Sequence, residues 1–307
     1  MMKPALRSTR LLAGLLWLLA ASLSALPLYA DVAATADIAG AAKYSRGLLW
    51  RIERDGGAPS YLFGTLHSDD PRVVQLAPPV RQAFDRARSF TMEVVADADA
   101  LLLMAQRMFY QDGRTLAGVA GDALYRRARQ ALAEHGLPDL GLERQKPWVV
   151  VMALSMPPQR GGPFLDMALQ AQAAEQKKSI HGLETVAEQL AVFDDLPDAD
   201  QVALLKETLD NHKQLRGQIE ALTTHYLARD LAGILKLAEA YRPADSRVYD
   251  TVMRRLLADR NLKMLERMRP RLAEGNAFIA VGAGHLAGPQ GLLVLLERAG
   301  YRLHAVY

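Results

Sequence analysis

Two histidines stand in the same local setting near opposite ends of the chain. His67 closes Tyr61-Leu62-Phe63-Gly64-Thr65-Leu66-His67, and His285 closes Phe278-Ile279-Ala280-Val281-Gly282-Ala283-Gly284-His285. Each reads as a short apolar strand ending in Gly-x-x-His. Imidazole exchanges protons near neutral pH and is the commonest metal ligand. Loops beyond strand ends in α/β proteins are also where ligands bind. One such histidine alone reads more readily as packing; the repetition turns the reading toward chemistry. The glycine three positions ahead is expected to let the backbone turn tightly and carry the ring into a cleft.

Carboxylates extend the set. Glu93 lies in Phe90-Thr91-Met92-Glu93-Val94-Val95, a mostly apolar strand where an unpaired charge is costly. It calls for a metal, a cation or a histidine, unless it faces solvent in an alternating strand. Glu184 follows Gly182-Leu183 at another strand end, although a carboxylate ahead of a helix is stabilised by the dipole alone. Arg260-Asn261 falls in a helical stretch and by itself reads as a solvated face. Of the seven histidines, His135, His212 and His225 read as surface residues, and His181 and His304 as structural. Two histidines with one or two glutamates match the ligands of a divalent metal such as zinc, manganese or cobalt. Such an ion makes bound water a nucleophile near neutral pH, with a carboxylate as general base. The chain has no His-Glu-x-x-His, no Gly-x-Ser-x-Gly, no Gly-x-x-x-x-Gly-Lys and no cysteine, which removes several standard hydrolase and nucleotide-binding readings.

The elements that must hold these groups can be read around them. Leu49–Arg54 and Ser60–Gly64 form a hairpin through Asp55-Gly56-Gly57. Further strands are expected at 89–95, 179–183, 277–281 and 301–306. A helix follows Pro78-Pro79 with Val80, Phe84 and Ala87 on one face. Residues 97–178 read as helical, with one stripe of Leu101, Ala105, Met108 and Phe109 and another of Leu124, Ala128, Ala131 and Leu132 closed by Gly136. Pro147 starts a helix that Pro157-Pro158 must end. Thr185 and Glu188 have the form of a capping box. Two or three long amphipathic helices span 198–268, with Asp230 as an N-cap and Pro270 closing the last. The pattern predicts an α/β fold, a central mixed β-sheet flanked by helices with a large helical middle section. No repeat or low-complexity linker divides it, so 46–307 reads as a single domain.

The first thirty residues stand apart from this domain. Lys3, Arg7 and Arg10 precede an apolar run over 11–20, and Pro27 and Ala30 follow, the form of a secretory signal peptide; an uncleaved membrane anchor is the alternative. A flexible leader is expected over 31–45. The formal charge is +3; removing those three basic groups leaves zero, so a nucleic-acid partner has no support. The expected address is the periplasm or outside the cell.

In this order, Gly64-Thr65-Leu66-His67, Glu93, Gly182-Leu183-Glu184-Thr185, Arg260-Asn261 and Val281-Gly282-Ala283-Gly284-His285-Leu286 closely resemble the TraB/PrgY/GumN family, which includes the Tiki proteins. Gly288-Pro289-Gln290-Gly291-Leu292-Leu293 and Gly300-Tyr301 resemble its ending, and the GumN-like bacterial branch is the nearest in kind. The resemblance implies a Tiki/erythromycin-esterase-like fold and a metal-assisted hydrolase site acting on a peptide or protein. His67, Glu93 and His285 would be its metal ligands, with Glu184 and Arg260 beside them and Asn261 as a weaker neighbour. It leaves two other readings open: a non-catalytic binder of peptide or small ligand, and a metal-free esterase in which histidine and glutamate activate water.

Overall fold

The computed structural model describes residues 43–307, apart from 140, 158, 241, 244 and 245. The expected signal peptide and most of the expected leader lie outside the described residues. Six strands make one sheet: β1 (Leu49–Glu53), β2 (Ser60–Thr65), β3 (Ser89–Val94), β4 (Ser179–Glu184), β5 (Ala277–Gly282) and β6 (Arg302–Ala305), in the order β4-β3-β5-β2-β1-β6. The β4, β3, β5 and β2 strands run parallel, while β1 is antiparallel to both β2 and β6. The architecture is the mixed α/β one. Every residue of β3 and of β5 is buried, as befits parallel strands covered on both faces. The hairpin turn between β1 and β2 uses Gly56 at φ 79°, open to glycine without strain.

Helices fill the crossovers. In chain order the longer ones are α1 (Pro78–Arg86), α2 (Ala98–Arg107), α3 (Asp122–Glu134), α4 (Pro147–Leu154), α5 (Leu165–Glu175), α6 (Val186–Asp194), α7 (Asp198–Leu227), α8 (Leu231–Ala240), α9 (Arg247–Met253), α10 (Asp259–Glu274) and α11 (Leu292–Arg298). The expected Thr185–Glu188 capping box is formed at the start of α6. Asp230 caps α8 by accepting from the Gly233 N–H at 2.9 Å. The sheet and its covering helices share one apolar core around Phe84, Phe90 and Phe278. The helical middle has its own, in which Ala128, Leu132, Val150, Leu154, Leu205 and Leu209 join α3, α4 and α7.

Two local expectations change. Pro270 lies inside α10 rather than closing it; the helix ends at Gly275, where φ is 68°. Proline costs the helix one donor, but buried Met268 and Leu272 anchor the turns on either side. In α2 the buried residue is Met104, followed by Met108 at the helix's C-cap, with Leu101 exposed, because the face turned toward Val186, Leu190 and Phe193 of α6 lies along Met104.

Candidate active site at the strand ends

Parallel pairing of β2 with β5 brings the two Gly-x-x-His motifs side by side, with Gly64 opposite Val281 and Thr65 opposite Gly282. Gly64 lies within extended β2, and its role is not the tight turn expected for it. A Cβ there would stand 2.7 Å from Leu286 Cδ1 and 3.1 Å from Ala283 Cα. Glycine lets the first motif press against the backbone of the second. Tyr226 of α7 secures the contact from outside, its hydroxyl donating to the Gly64 carbonyl at 3.1 Å.

Glu93 points out of β3 toward this junction and is buried, so the solvent-facing alternative fails. Its Oε1 accepts the Gly282 N–H at 2.7 Å, and its Oε2 accepts from Arg260 Nη2 at 2.6 Å and Gln189 Nε2 at 3.2 Å. Glu184, at the end of β4, takes the other side of the same guanidinium: Nε donates to it at 2.9 Å and Nη2 at 2.7 Å. Burial alone would raise the Glu93 pKa, but Arg260, His285 and the Gly282 N–H bring it down to about 2. Burial would likewise lower that of Arg260, and Glu93 and Glu184 raise it instead. Arg260 and Asn261 are thus buried rather than on a solvated face. The helix carrying them is entered through a π-helical turn, Arg254–Ala258, a form frequent at functional sites. Arg260 Nη1 donates back to the Leu256 carbonyl of that turn at 3.1 Å.

His285 sits in a short 3₁₀ turn after β5 and is fully buried. Its Nδ1 lies 2.6 Å from Asn261 Oδ1, while Asn261 Nδ2 donates to the Gln290 carbonyl at 2.8 Å. With the amide nitrogen committed to a carbonyl, the amide oxygen must face the ring, so Nδ1 carries the proton and Nε2 is a lone pair. Burial, reinforced by Arg260 and opposed by Glu93, pulls the His285 pKa down to about 3, which keeps the ring neutral near pH 7. Nε2 has no hydrogen-bond partner and faces Glu93 Oε1 at 3.7 Å. With that tautomer the two buried atoms facing each other are both acceptors.

His67, just beyond β2, has its Nδ1 3.2 Å from Asp166 Oδ2. Asp166 is buried in the first turn of α5, and its Oδ1 accepts from the Thr65 hydroxyl at 2.7 Å. Burial raises the Asp166 pKa, against the pull of His67 and Thr65. The start of α5 is tied to the loop after His67, because the Leu165 N–H donates to the Ser68 carbonyl at 3.2 Å and Asp69 accepts the Arg160 and Gly162 N–H groups.

Sequence reasoning missed Asp166 and Gln189. Asp166 resembles any acidic residue in a helical first turn, and Gln189 resembles any polar residue one turn past a cap. Their signal is spatial. The remaining histidines stay away from this cluster: His212 contacts Glu134, His225 contacts Asp230, His181 contacts Arg271, His304 contacts Glu53, and His135 lies against His212.

Comparison with known proteins adds the lineage. The TraB/PrgY/gumN family matches residues 48–305. The chain belongs to this family. It is 29% identical to "Metalloprotease TIKI1" of Danio rerio over 83% of this chain and 62% of that protein. It is 28% identical to "Metalloprotease TIKI1" of Homo sapiens over 83% of this chain and 61% of that protein. To "Metalloprotease TIKI homolog" of Nematostella vectensis it is 22% identical over 86% of this chain and 68% of that protein. The chain thus spans less than two thirds of the length of the first of these relatives. No solved structure matches it.

The name metalloprotease on relatives in the TraB/PrgY/gumN family makes fit to a metal a question for these side chains. Among the described residues no group of three or more His, Cys, Asp or Glu side chains already stands as a ligand set. The chemistry of the donors nevertheless suits a cation. His285 Nε2 and Glu93 Oε1 face one another as acceptors, and two glutamates share the single positive charge of Arg260. A buried excess of negative charge beside a bare imidazole nitrogen is costly unless a positive partner is supplied.

Proposed function

We propose that this protein is a metal-dependent hydrolase acting on peptide bonds, with its site at the junction of the two Gly-x-x-His motifs. The observation that carries the reading is the buried His285 Nε2, without a hydrogen-bond partner, facing Glu93 Oε1 at 3.7 Å. His285, Glu93 and His67 would hold the ion; zinc, manganese and cobalt all suit nitrogen and carboxylate donors. The ion would supply Lewis acidity and a more acidic bound water.

The chain's own residues have separate tasks in this reading. Asn261 fixes the His285 ring so that Nε2 is the donor. Arg260 and Gln189 hold Glu93 Oε2, leaving Oε1 as the oxygen that faces the histidine. Glu184 splits the guanidinium charge with Glu93 and keeps Arg260 in place. Glu93 stays ionised down to about pH 2, so it remains an anionic donor throughout the neutral range. A peptide or protein substrate accords with the name metalloprotease borne by the relatives. A periplasmic or secreted location, with a membrane-anchored form as its alternative, rests on the charged and apolar pattern of residues 1–30. Among the described residues no helix is long and apolar enough to cross a membrane.

Elemental analysis of purified protein, joined to cleavage of a peptide library, tests the proposal. Stoichiometric metal and cleavage, both lost in His285→Ala, are expected. Unchanged cleavage by metal-free protein would overturn the metal and favour the esterase-like His/Glu reading. A second reading, capture of a peptide without cleavage, draws on the three donors that already occupy Glu93. Peptide-induced stabilisation without product in the presence of added metal would favour it.

A further inference from the structure

Asp166 is a buried carboxylate with no role in the reading above, although its Oδ2 lies 3.2 Å from His67 Nδ1. Its two oxygens are divided. Oδ1 accepts the Thr65 hydroxyl at 2.7 Å, and Oδ2 lies 3.2 Å from His67 Nδ1. Thr65 and His67 belong to the same motif, so the carboxylate spans the end of β2 and the ring beyond it. The tie between Leu165 and Ser68 holds α5 against that loop, and Phe164 lies with its ring centroid 6.2 Å from that of His67. The ring is confined from two directions by the first residues of one helix.

The other motif has a tighter contact of the same kind, a hydrogen bond where His67 Nδ1 and Asp166 Oδ2 stand only at ion-pair distance. There Asn261, also on a helix, takes Nδ1 of His285. An imidazole that gives its Nδ1 proton to an oxygen has Nε2 as its lone-pair nitrogen, and outer-shell oxygens of this kind fix tautomer and orientation in metal sites. We propose that Asp166 is the positioning residue of His67: it accepts the Nδ1 proton on Oδ2 while Thr65 anchors Oδ1, so that Nε2 is the nitrogen His67 offers to the site. Asp166 acts through His67 and need not touch substrate. The link to metal binding rests on the hydrolase reading; the tautomer assignment does not.

The test reads the ring directly. Long-range ¹H–¹⁵N spectra of metal-free, labelled full chain, with His67 assigned by its loss in His67→Asn, report which nitrogen carries the proton. Wild type should show Nδ1–H and a bare Nε2. Asp166→Asn offers one acceptor oxygen to two donors, and Asp166→Leu offers none, so the Nδ1–H population should fall in that order. Zinc titration of the same proteins by calorimetry should show affinity weakened by about 10- to 100-fold. Nε2–H in the wild-type ring overturns the assignment even if no variant folds. So does an unchanged tautomer and zinc affinity in both variants. Failure of wild type to bind zinc, manganese or cobalt with the Nδ1–H tautomer present counts against the hydrolase reading and leaves Asp166 as the residue that sets the ring.

Discussion

The two histidine motifs look alike in sequence and live in different surroundings. His285 is backed by a neutral amide, stands over a Glu93–Arg260–Glu184 cluster, and has its pKa drawn down to about 3. His67 is backed by a carboxylate that also holds Thr65. The difference teaches that a repeated motif supplies matched rings on matched strand ends, while distant helices give each ring its character. One half of the site is built around a shared charge, the other around a tether.

Breaking the charged half should have the largest effect. Arg260→Ala leaves Glu93 and Glu184 buried without their cation and should destabilise the fold by about 3–5 kcal/mol, read by denaturant unfolding. The tether of Asp166 to Thr65 uses neither glutamate nor Arg260 and should survive wherever the variant still folds. Gly64→Ala strikes both halves at once, because its methyl group would collide with Leu286 and the Ala283 backbone. The expected loss is about 1–3 kcal/mol, read by denaturant unfolding.

Asn261→Ala acts on the His285 side alone. It removes the acceptor for a buried N–H and should cost about 1–3 kcal/mol, again by denaturant unfolding. Asn261→Asp sharpens the comparison instead of breaking it, since it gives both rings a carboxylate partner. The His285 pKa should then rise from about 3 toward the ordinary histidine range, measured by ring titration in NMR. A ring that stays neutral to the same low pH would show that Asn261 is not what distinguishes the halves.

The pH dependence of stability follows from the same groups and is the most gradual effect. The folded pKa of His285 is depressed from 6.5, and that of Glu93 from 4.5. In both cases the unfolded chain binds more protons in the intervening range, so stability rises with pH there. The His285 contribution is fully present above pH 6.5 and is lost as pH falls toward 3; that of Glu93 is lost between 4.5 and about 2. Unfolding midpoints collected from pH 7.5 downward should decline below 6.5, and Asn261→Asp should blunt the first part of that decline.

Much of the charged half was legible from residue order. A carboxylate in the apolar strand around Glu93 demanded a partner, and two strand-end histidines suggested what surrounds it. Family resemblance placed Arg260 only beside the site, since a basic residue in an amphipathic helix carries no local mark of burial; its pairing with Glu93 appears only in the structure. The tethered half was legible only as far as His67. Asp166 is one of many acids in first helical turns, and its meaning depends on which loop α5 is pinned against. Gly64 was noticed for a turn, but its requirement is the approach of a strand distant in sequence. Local patterns revealed which elements exist; packing between distant elements decided which side chains meet.

The adjacency of β2 and β5 also dictates when the protein can work. The backbone N–H of Ala277 meets the Ser60 hydroxyl across 217 positions of chain, a closure whose entropy must be overcome before the parallel pairing rewards it. On the ribosome, His67, Glu93, Glu184 and Arg260 all emerge while the slot between β3 and β2 is still empty. Only the last strand pairs to arrive, carrying His285 with it, turn these scattered groups into one enclosure. A site assembled this way is incomplete until β5 is made, and loss of the segment that carries His285 would take it apart again.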